Sequence, residues 1–178
     1  MESDGTFPRE FFYGYTELEK NDFSVSMIEE DELGSSITNP GLADQVVRWS
    51  VFLTGLNANA IIKYFRAKSL NTLDEYDLVV ATTTSQGFGL AFQNMLGNLK
   101  PKVLFITMGL MRLNMPFHQR AIFRKVFRGI SLAPISRKDE THMRALLSRN
   151  QDIEYLPFGV DHEFWTPAVE DETGERED

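Results

Sequence analysis

YDLVVATTTSQGFG, residues 76–89, is the stretch from which the architecture of this chain can be inferred. It opens with a continuous apolar run, Leu78–Ala81, which lacks the polar alternation of a half-exposed strand. Such runs are typical of strands buried on both faces of a parallel sheet. Four hydroxyl residues, a glutamine and a Gly-Phe-Gly follow, so the strand leads directly into a helix. In open α/β sheets ligands bind at this edge, because helix N-termini and free backbone donors gather there.

The segments downstream repeat this order of strand and helix. Apolar strands are predicted over residues 102–107, 130–135 and 153–156, and helices over residues 89–99, 117–128 and 137–148. Upstream, the patterns predict a helix over residues 8–20, a strand over 23–28 and largely helical structure over 40–73. One apolar stripe runs along the start of that last region: Leu42, Val46, Trp49, Phe52 and Leu53. The alternation predicts an α/β fold with a mostly parallel sheet and right-handed crossovers.

Composition and charge limit the functional classes. The chain has 178 residues, enough for one sizeable domain, and no cysteine, which excludes disulfides, thiolate metal sites and thiol nucleophiles. The net charge of −8 lies at the two ends, since residues 1–33 carry −8, residues 168–178 carry −5 and the middle carries +5. No dense basic stripe with stacking aromatic residues occurs, so we expect no nucleic-acid partner. Without a long apolar stretch or a signal-like N-terminus, a cytoplasmic location is the expectation.

Two loops at the predicted carboxyl edge are candidate binding sites. The hydroxyl groups, backbone N–H groups and helix start of Thr83–Gly89 could bind a phosphate, a sugar hydroxyl or a carboxylate. A glycine-rich turn without a ligand fits the same residues equally well, and Phe92 breaks the dinucleotide-binding fingerprint. Thr107-Met108-Gly109 ends the next strand and should open on the same edge. For that tripeptide, a tight turn that requires glycine is the preferred interpretation.

The basic residues and the histidines are further candidates for a membrane-binding or metal-binding site. Residues 113–129 contain no acidic residue and four basic ones, Arg120, Arg124, Lys125 and Arg128. A basic amphipathic helix can lie on an anionic membrane, but a crossover helix with a solvated basic face is the preferred interpretation. The three histidines, His118, His142 and His162, show no metal-ligand spacing and are interpreted as surface or interface residues. No metal site is therefore predicted.

The segment YLPFGVDHEFWTP, residues 155–167, resembles a motif near the end of the N-terminal domain of GT-B glycosyltransferases of the retaining, family-4 kind. That motif has the form Pro/Asn-x-Gly-Val-Asp-x-x-x-Phe-x-Pro. Four earlier segments resemble other elements of the same domain in order and spacing: residues 12–18, 76–86, 100–110 and 130–138. The resemblance covers residues 8–167, which leaves 168–178 as an acidic tail or the start of an inter-domain linker.

The resemblance implies a Rossmann-like three-layer sandwich that forms the acceptor-side half of a two-domain enzyme. Such enzymes transfer a sugar from a nucleotide-sugar to an acceptor without an obligatory metal. The implied cleft residues are Thr83, Thr84, Ser85, Gln86, Thr107, Met108, Gly109, Ser136 and Arg137. The implied hinge motif is Gly159, Val160 and Asp161. The resemblance names no catalytic residue in this chain.

Two parts of the family pattern, the opening apolar strand and the donor-binding C-terminal domain, are absent from the sequence. We therefore expect no tightly bound cofactor, nucleotide-sugar binding only together with a C-terminal-domain partner, and no sugar transfer by this chain alone. Without a central strand a sheet edge is exposed, and we expect the strand over residues 23–28 or a second copy of the chain to cover it. The alternatives are a non-catalytic binding or regulatory module that acts through a partner chain, and a flavodoxin-like binder, for which a phosphate loop is lacking.

Overall fold

The computed structural model describes residues 18, 21, 23–26, 41–54, 56, 61–62, 73–111, 113–157 and 159. The chain divides into two compact units: Met1–Met27 with Phe158–Asp178, and Ile28–Pro157. In the first unit Leu18 is helical, and the rest of the helix predicted over residues 8–20 lies outside the described residues.

The strand predicted over residues 23–28 is wrong over its described part, because residues 23–26 form no strand. Phe23, the first apolar residue of the alternation, is exposed. Alternation predicts a strand only where one set of side chains can be buried against a core, and Phe23 is not buried. Met27 and Ile28 lie outside the described residues.

The described part of the second unit alternates between helices and strands. In chain order these are α1 (Leu42–Thr54), β1 (Leu78–Ala81), α2 (Thr84–Met95), β2 (Lys102–Thr107), α3 (Phe117–Val126), β3 (Ser131–Pro134) and α4 (Arg137–Leu146). Ile61 and Ile62 are also helical and fully buried. The predicted order of strands and helices from residue 77 onward is confirmed.

The three strands form one parallel sheet in the order β1-β2-β3. Ala81 lies beside Phe105, and Thr107 lies beside Pro134. All three strands therefore end at the same edge of the sheet, as the sequence predicted. The predicted fold class is confirmed: an α/β, Rossmann-like sandwich whose parallel sheet is flanked by helices.

The segment that follows α4 extends the sheet beyond β3. Ile153 forms a parallel bridge with Leu132. Glu154 N donates to Leu132 O at 3.0 Å, and Leu156 N donates to Pro134 O at 3.0 Å. The last predicted strand is thus present as a short stretch of parallel pairing.

Each connection steps in the same direction across the sheet, so right-handed crossovers place α2, α3 and α4 on the same face. Four phenylalanines on this side form what we call the aromatic cluster: Phe88, Phe105, Phe123 and Phe127. The Phe88 ring centroid lies 5.2 Å from that of Phe123 and 4.8 Å from that of Phe127. Phe127 in turn lies 5.9 Å from Phe105 on β2. Aromatic contacts at these distances fix the two helices on the strand.

Helix α1 packs against α3, and its buried residues are Val47 and Val51. The apolar stripe recognised in the sequence lies on the opposite side of α1, where all five of its residues are exposed. This helix is therefore apolar on two sides, and only one of them contributes to the core.

Candidate functional site

Helix α2 begins at Thr84, earlier than the predicted start at Gly89. Thr83 is its N-cap: Gln86 N donates to Thr83 Oγ1 at 3.3 Å, and Thr83 N donates to Gln86 Oε1 at 3.2 Å. This reciprocal pair is a capping box, which satisfies N–H groups that a helix start otherwise leaves free. The residues predicted as a ligand-binding loop are thus the first turn of a helix. The side-chain oxygens of Thr83 and Gln86 already accept the hydrogen bonds that stabilise this turn.

The end of β2 is tied to the start of α4 by a buried carboxylate. Gly109 N donates to Asp139 Oδ2 at 2.9 Å, and Asp139 is 9% exposed. Gly109 has a φ of +59°, which requires a residue without a side chain and explains the glycine at this turn. Thr107 is buried, and its hydroxyl donates to Met143 Sδ at 3.7 Å. Thr107 and Gly109 therefore fix the end of β2 and the loop after it to α4.

The start of α4 lies at the same edge. Ser136 is the N-cap and accepts from Asp139 N at 3.1 Å. The Arg137 guanidinium lies 3.8 Å above the ring of Tyr155 and donates to Glu140 Oε2 at 3.0 Å. Arg137 is thus held at the edge by a cation–π contact and an ion pair.

A cleft of about 450 Å³ opens between the loop after β2 and α4. Its lining is Gly109, Met111, Leu113, Asn114, Lys138, Asp139 and His142. This volume is in the range of roughly 300–1,000 Å³ that is usual for small-molecule sites. An amide, an ammonium, a carboxylate and an imidazole line one apolar-walled cleft, a combination that suits a ligand rich in hydroxyl groups.

The protonation of His142 follows from its neighbour. His142 Nδ1 lies 3.1 Å from Met111 O. A carbonyl oxygen can only accept, so Nδ1 carries the proton, and in the neutral ring Nε2 is left as an acceptor. His142 is half-buried in the cleft wall and is therefore the side chain best placed to accept a proton or hydrogen bond from a bound hydroxyl.

The structure brings only some of the predicted site residues together. Gly109 lines the cleft, and Ser136 caps the helix that forms its other wall. Four others do not line this cleft, since Thr83 and Gln86 cap α2, Thr107 is buried and Arg137 is paired with Tyr155. The remaining candidates are Thr84 and Ser85 in the first turn of α2, and Met108, which is exposed. Gly159 of the hinge motif is exposed, and Val160 and Asp161 lie outside the described residues.

Four polar cleft residues were not selected from the sequence: Asn114, Lys138, Asp139 and His142. The sequence pattern indicated a surface or interface position for His142. A signal for Asp139 existed, since it lies in the first turn after the N-cap Ser136, at the predicted edge. No comparable signal existed for Asn114, because its loop has no regular pattern.

The described residues include no group of three or more histidine, cysteine, aspartate or glutamate side chains that could hold a metal ion. No described helix is long and apolar enough to cross a membrane.

Two arginines surround Glu140 on the exposed side of α4. Glu140 accepts from Arg137 Nη1 and from Arg144 Nε, each at 3.0 Å. The hydrogen bond from Arg137, followed by that from Arg144, lowers the pKa of Glu140 below its ordinary value of 4.5, and desolvation opposes the shift only in part. Because the folded-state pKa is the lower one, the charged carboxylate stabilises the fold above the ordinary pKa, and this contribution is lost as pH falls through the folded value.

We expect Glu140→Gln to lower the melting temperature slightly at neutral pH and to reduce its decline on acidification. The effect is small because both arginines are largely exposed and solvent screens the pairs. Thermal unfolding recorded from neutral pH to below 4.5 measures it. Glu154→Gln, at an exposed glutamate, is the matched control and should keep the parental decline. An unchanged acid decline in Glu140→Gln would contradict the assignment.

Comparison of the chain with known proteins gave no match among family models, curated proteins or solved structures. The cleft, the sheet edge where it lies and the sequence motifs are therefore the features that indicate a function.

Proposed function

We propose that this chain is the acceptor-side domain of a GT-B glycosyltransferase and binds a hydroxyl-rich acceptor in the cleft between the loop after β2 and α4. The observation that carries the proposal is the cleft at the carboxyl edge of the parallel strands, lined by Asp139, His142, Lys138 and Asn114. Ligands of open α/β sheets bind at this edge, and three glycosyltransferase-like segments, residues 76–86, 100–110 and 130–138, form the strands and turns there.

The lining matches the chemistry of a sugar or polyol. Asp139 uses Oδ2 to hold Gly109 N, and its carboxylate keeps further lone pairs that can accept from a hydroxyl. The imidazole of His142, fixed by Met111 O, offers Nε2 as a second acceptor. Asn114 and Lys138 supply donors. Acceptors and donors on both walls can orient a hydroxyl group toward an activated sugar that is bound on a second domain.

Transfer requires a donor site that faces this cleft. In the proposal a separate donor-binding domain, in the same protein or in a partner chain, holds the nucleotide-sugar. The exposed Gly159 precedes the predicted hinge residues Val160 and Asp161 and would allow such a domain to close over the cleft. The chain alone then binds an acceptor weakly and turns over no nucleotide-sugar.

Titration of the ¹⁵N-labelled chain with a panel of simple glycosides and polyols tests the proposal by NMR. We expect shifts at Gly109, Asn114 and His142 with at least one compound. His142→Gln should weaken that binding about tenfold, the effect of losing one well-placed hydrogen bond. His118→Gln is the matched control, because His118 is exposed on α3 and does not line the cleft. A panel that shifts none of the cleft residues would refute the proposal.

A further inference from the structure

Helix α1 presents a large apolar surface to solvent. Its stripe, Leu42, Val46, Trp49, Phe52 and Leu53, is from 45% to 83% exposed. The opposite side of the same helix buries Val47 and Val51 almost completely. A helix that is apolar on two sides is normally covered on both of them, because uncovered apolar surface costs free energy in water.

The size of this surface points to a protein interface. Roughly 600 Å² of the α1 stripe is exposed, given the roughly 150–250 Å² of an accessible aromatic side chain and the smaller area of leucine and valine. Patches on soluble monomers are rarely larger than a few hundred Å². A standard interface buries about 800 Å² on each partner. The α1 stripe by itself thus supplies most of the area that one side of a stable dimer needs.

The spacing of the stripe suits a second helix. Leu42, Val46, Trp49 and Leu53 alternate in steps of four and three residues, which is the seam spacing of paired helices. The helix has 13 residues, or about 20 Å of length for the contact. Trp49 and Phe52 already meet edge to face, with ring centroids 6.2 Å apart, so the centre of the surface is ordered before any partner arrives.

Charge distinguishes a protein partner from a lipid surface. Helices that bind anionic membranes flank their apolar face with lysine and arginine. The only basic residue of α1 is Arg48, which is half-buried, and Asp44 balances its charge, so the helix itself carries no net charge. A neutral apolar seam without a basic border matches an identical seam instead, since the same patch on two copies is self-complementary about a two-fold axis.

We propose that the chain forms a two-fold symmetric homodimer in which the α1 stripes of two copies pack against each other. From the sequence, a second copy of the chain is one of two expected covers for an exposed sheet edge, and the outer strand of the described sheet, β1, exposes Leu78 and Val80. β1 has only four residues, so its edge offers a shorter contact than α1 does. The α1 stripe is therefore the dimer surface, and the edge of β1 is the alternative interface that the experiment must distinguish from it.

Light scattering with size-exclusion chromatography of the full chain, over a range of concentrations, tests the proposal. We expect a dimer that dissociates on dilution. Val46→Glu places two like charges in the seam and should weaken dimerisation on the order of 100-fold. Because Val46 is exposed in the single chain, the variant should keep the parental fold and circular dichroism. Val80→Lys, at the edge of β1, is the control and should leave the dimer intact.

The fluorescence of Trp49 gives a second readout at the surface itself. The chain has two tryptophans, Trp49 and Trp165, so Trp165→Phe leaves Trp49 as the single reporter. We expect its emission to move to longer wavelength on dilution, with the midpoint seen by light scattering. Val46→Glu should show the long-wavelength emission at every concentration.

Four outcomes would overturn the proposal. A monomer with solvent-exposed Trp49 at all concentrations would mean that the stripe has no partner. A monomer with shielded Trp49 would mean that another segment of the same chain covers the stripe. Loss of the dimer in Val80→Lys with its retention in Val46→Glu would place the interface at β1. A monomer whose Trp49 emission shifts only with anionic phosphatidylserine vesicles would identify a membrane surface instead.

Discussion

Gly87→Ala is expected to destabilise the fold by about 3 kcal/mol, the range of a strongly overpacked core site. A Cβ at this position would overlap the Phe105 ring at its Cγ, Cδ2 and Cε2 atoms. Phe105 is 1% exposed and is held by Phe127, so the ring has no space to move aside. Since natural domains are stable by only about 5–15 kcal/mol, a loss of this size removes a large share of the free energy of unfolding.

The sign of the change in the free energy of unfolding in Gly87→Ala shows whether the contact with Phe105 or the helix propensity of alanine dominates. Gly87 lies inside α2, where alanine is favoured over glycine by about 1 kcal/mol. Without the ring contact the substitution would therefore stabilise the protein. Urea denaturation of parent and variant measures the difference in the free energy of unfolding. A variant as stable as the parent, or more stable, would disprove the close approach of α2 to β2.

Two further variants control this experiment. Gly159→Ala adds a methyl group that meets no atom within 4 Å, and it should leave stability nearly unchanged. Phe105→Leu replaces the ring that would overlap a Cβ at position 87 with a smaller side chain. We expect the double variant Gly87→Ala/Phe105→Leu to be more stable than the sum of the two single effects predicts. The smaller side chain at 105 removes the clash with the new methyl group, so the two changes in the free energy of unfolding are not additive.

The strands were predictable because their signal is local. Leu78–Ala81 and Val103–Ile106 are continuous apolar runs, and such runs have few alternatives when helices separate them. The start of α2 was also encoded locally. Thr83 with Gln86 has the spacing of a capping box, but the run of hydroxyl residues was interpreted as a loop.

The candidate site was less predictable because it depends on contacts between distant residues. The bond between Gly109 N and Asp139 Oδ2 joins residues 30 positions apart, and nothing local to either residue specifies it. His142 enters the cleft because α4 packs on β3. The buried side of α1 was unpredictable for another reason: apolar residues occur on both sides of the helix, so periodicity cannot choose between Val47 and Val46.

Packing at Gly87 supports the loop after β2, which forms one wall of the cleft. The missing side chain at Gly87 lets α2 approach β2, and this approach brings Phe88 into the aromatic cluster. The cluster in turn holds the residues that follow α3 against Phe105 of β2. The loop after β2, which carries Gly109, is thus anchored at both of its ends by packing that begins at one glycine.

Phe88→Ala should accordingly cost about 3–5 kcal/mol, the range for removing a fully buried aromatic side chain. Phe88 is 0% exposed, and its ring contacts those of Phe123 and Phe127. The cavity left by the ring would lie between α2 and α3, where neither helix can close it without leaving the sheet. Urea denaturation measures the loss, and amide hydrogen exchange should show protection falling in α2 and α3 before β2 and β3.

Phe117→Ala is the matched control for Phe88→Ala, because Phe117 is the same residue type on α3 but is 78% exposed. It should change stability by less than about 0.5 kcal/mol, as surface substitutions usually do. Phe88→Ala and Phe123→Ala together should cost less than the sum of the single variants, since each removes the partner of the other. Additive losses, or a Phe88→Ala variant as stable as Phe117→Ala, would mean that the cluster does not hold α2 to α3. The anchoring of the Gly109 loop inferred from it would then be wrong as well.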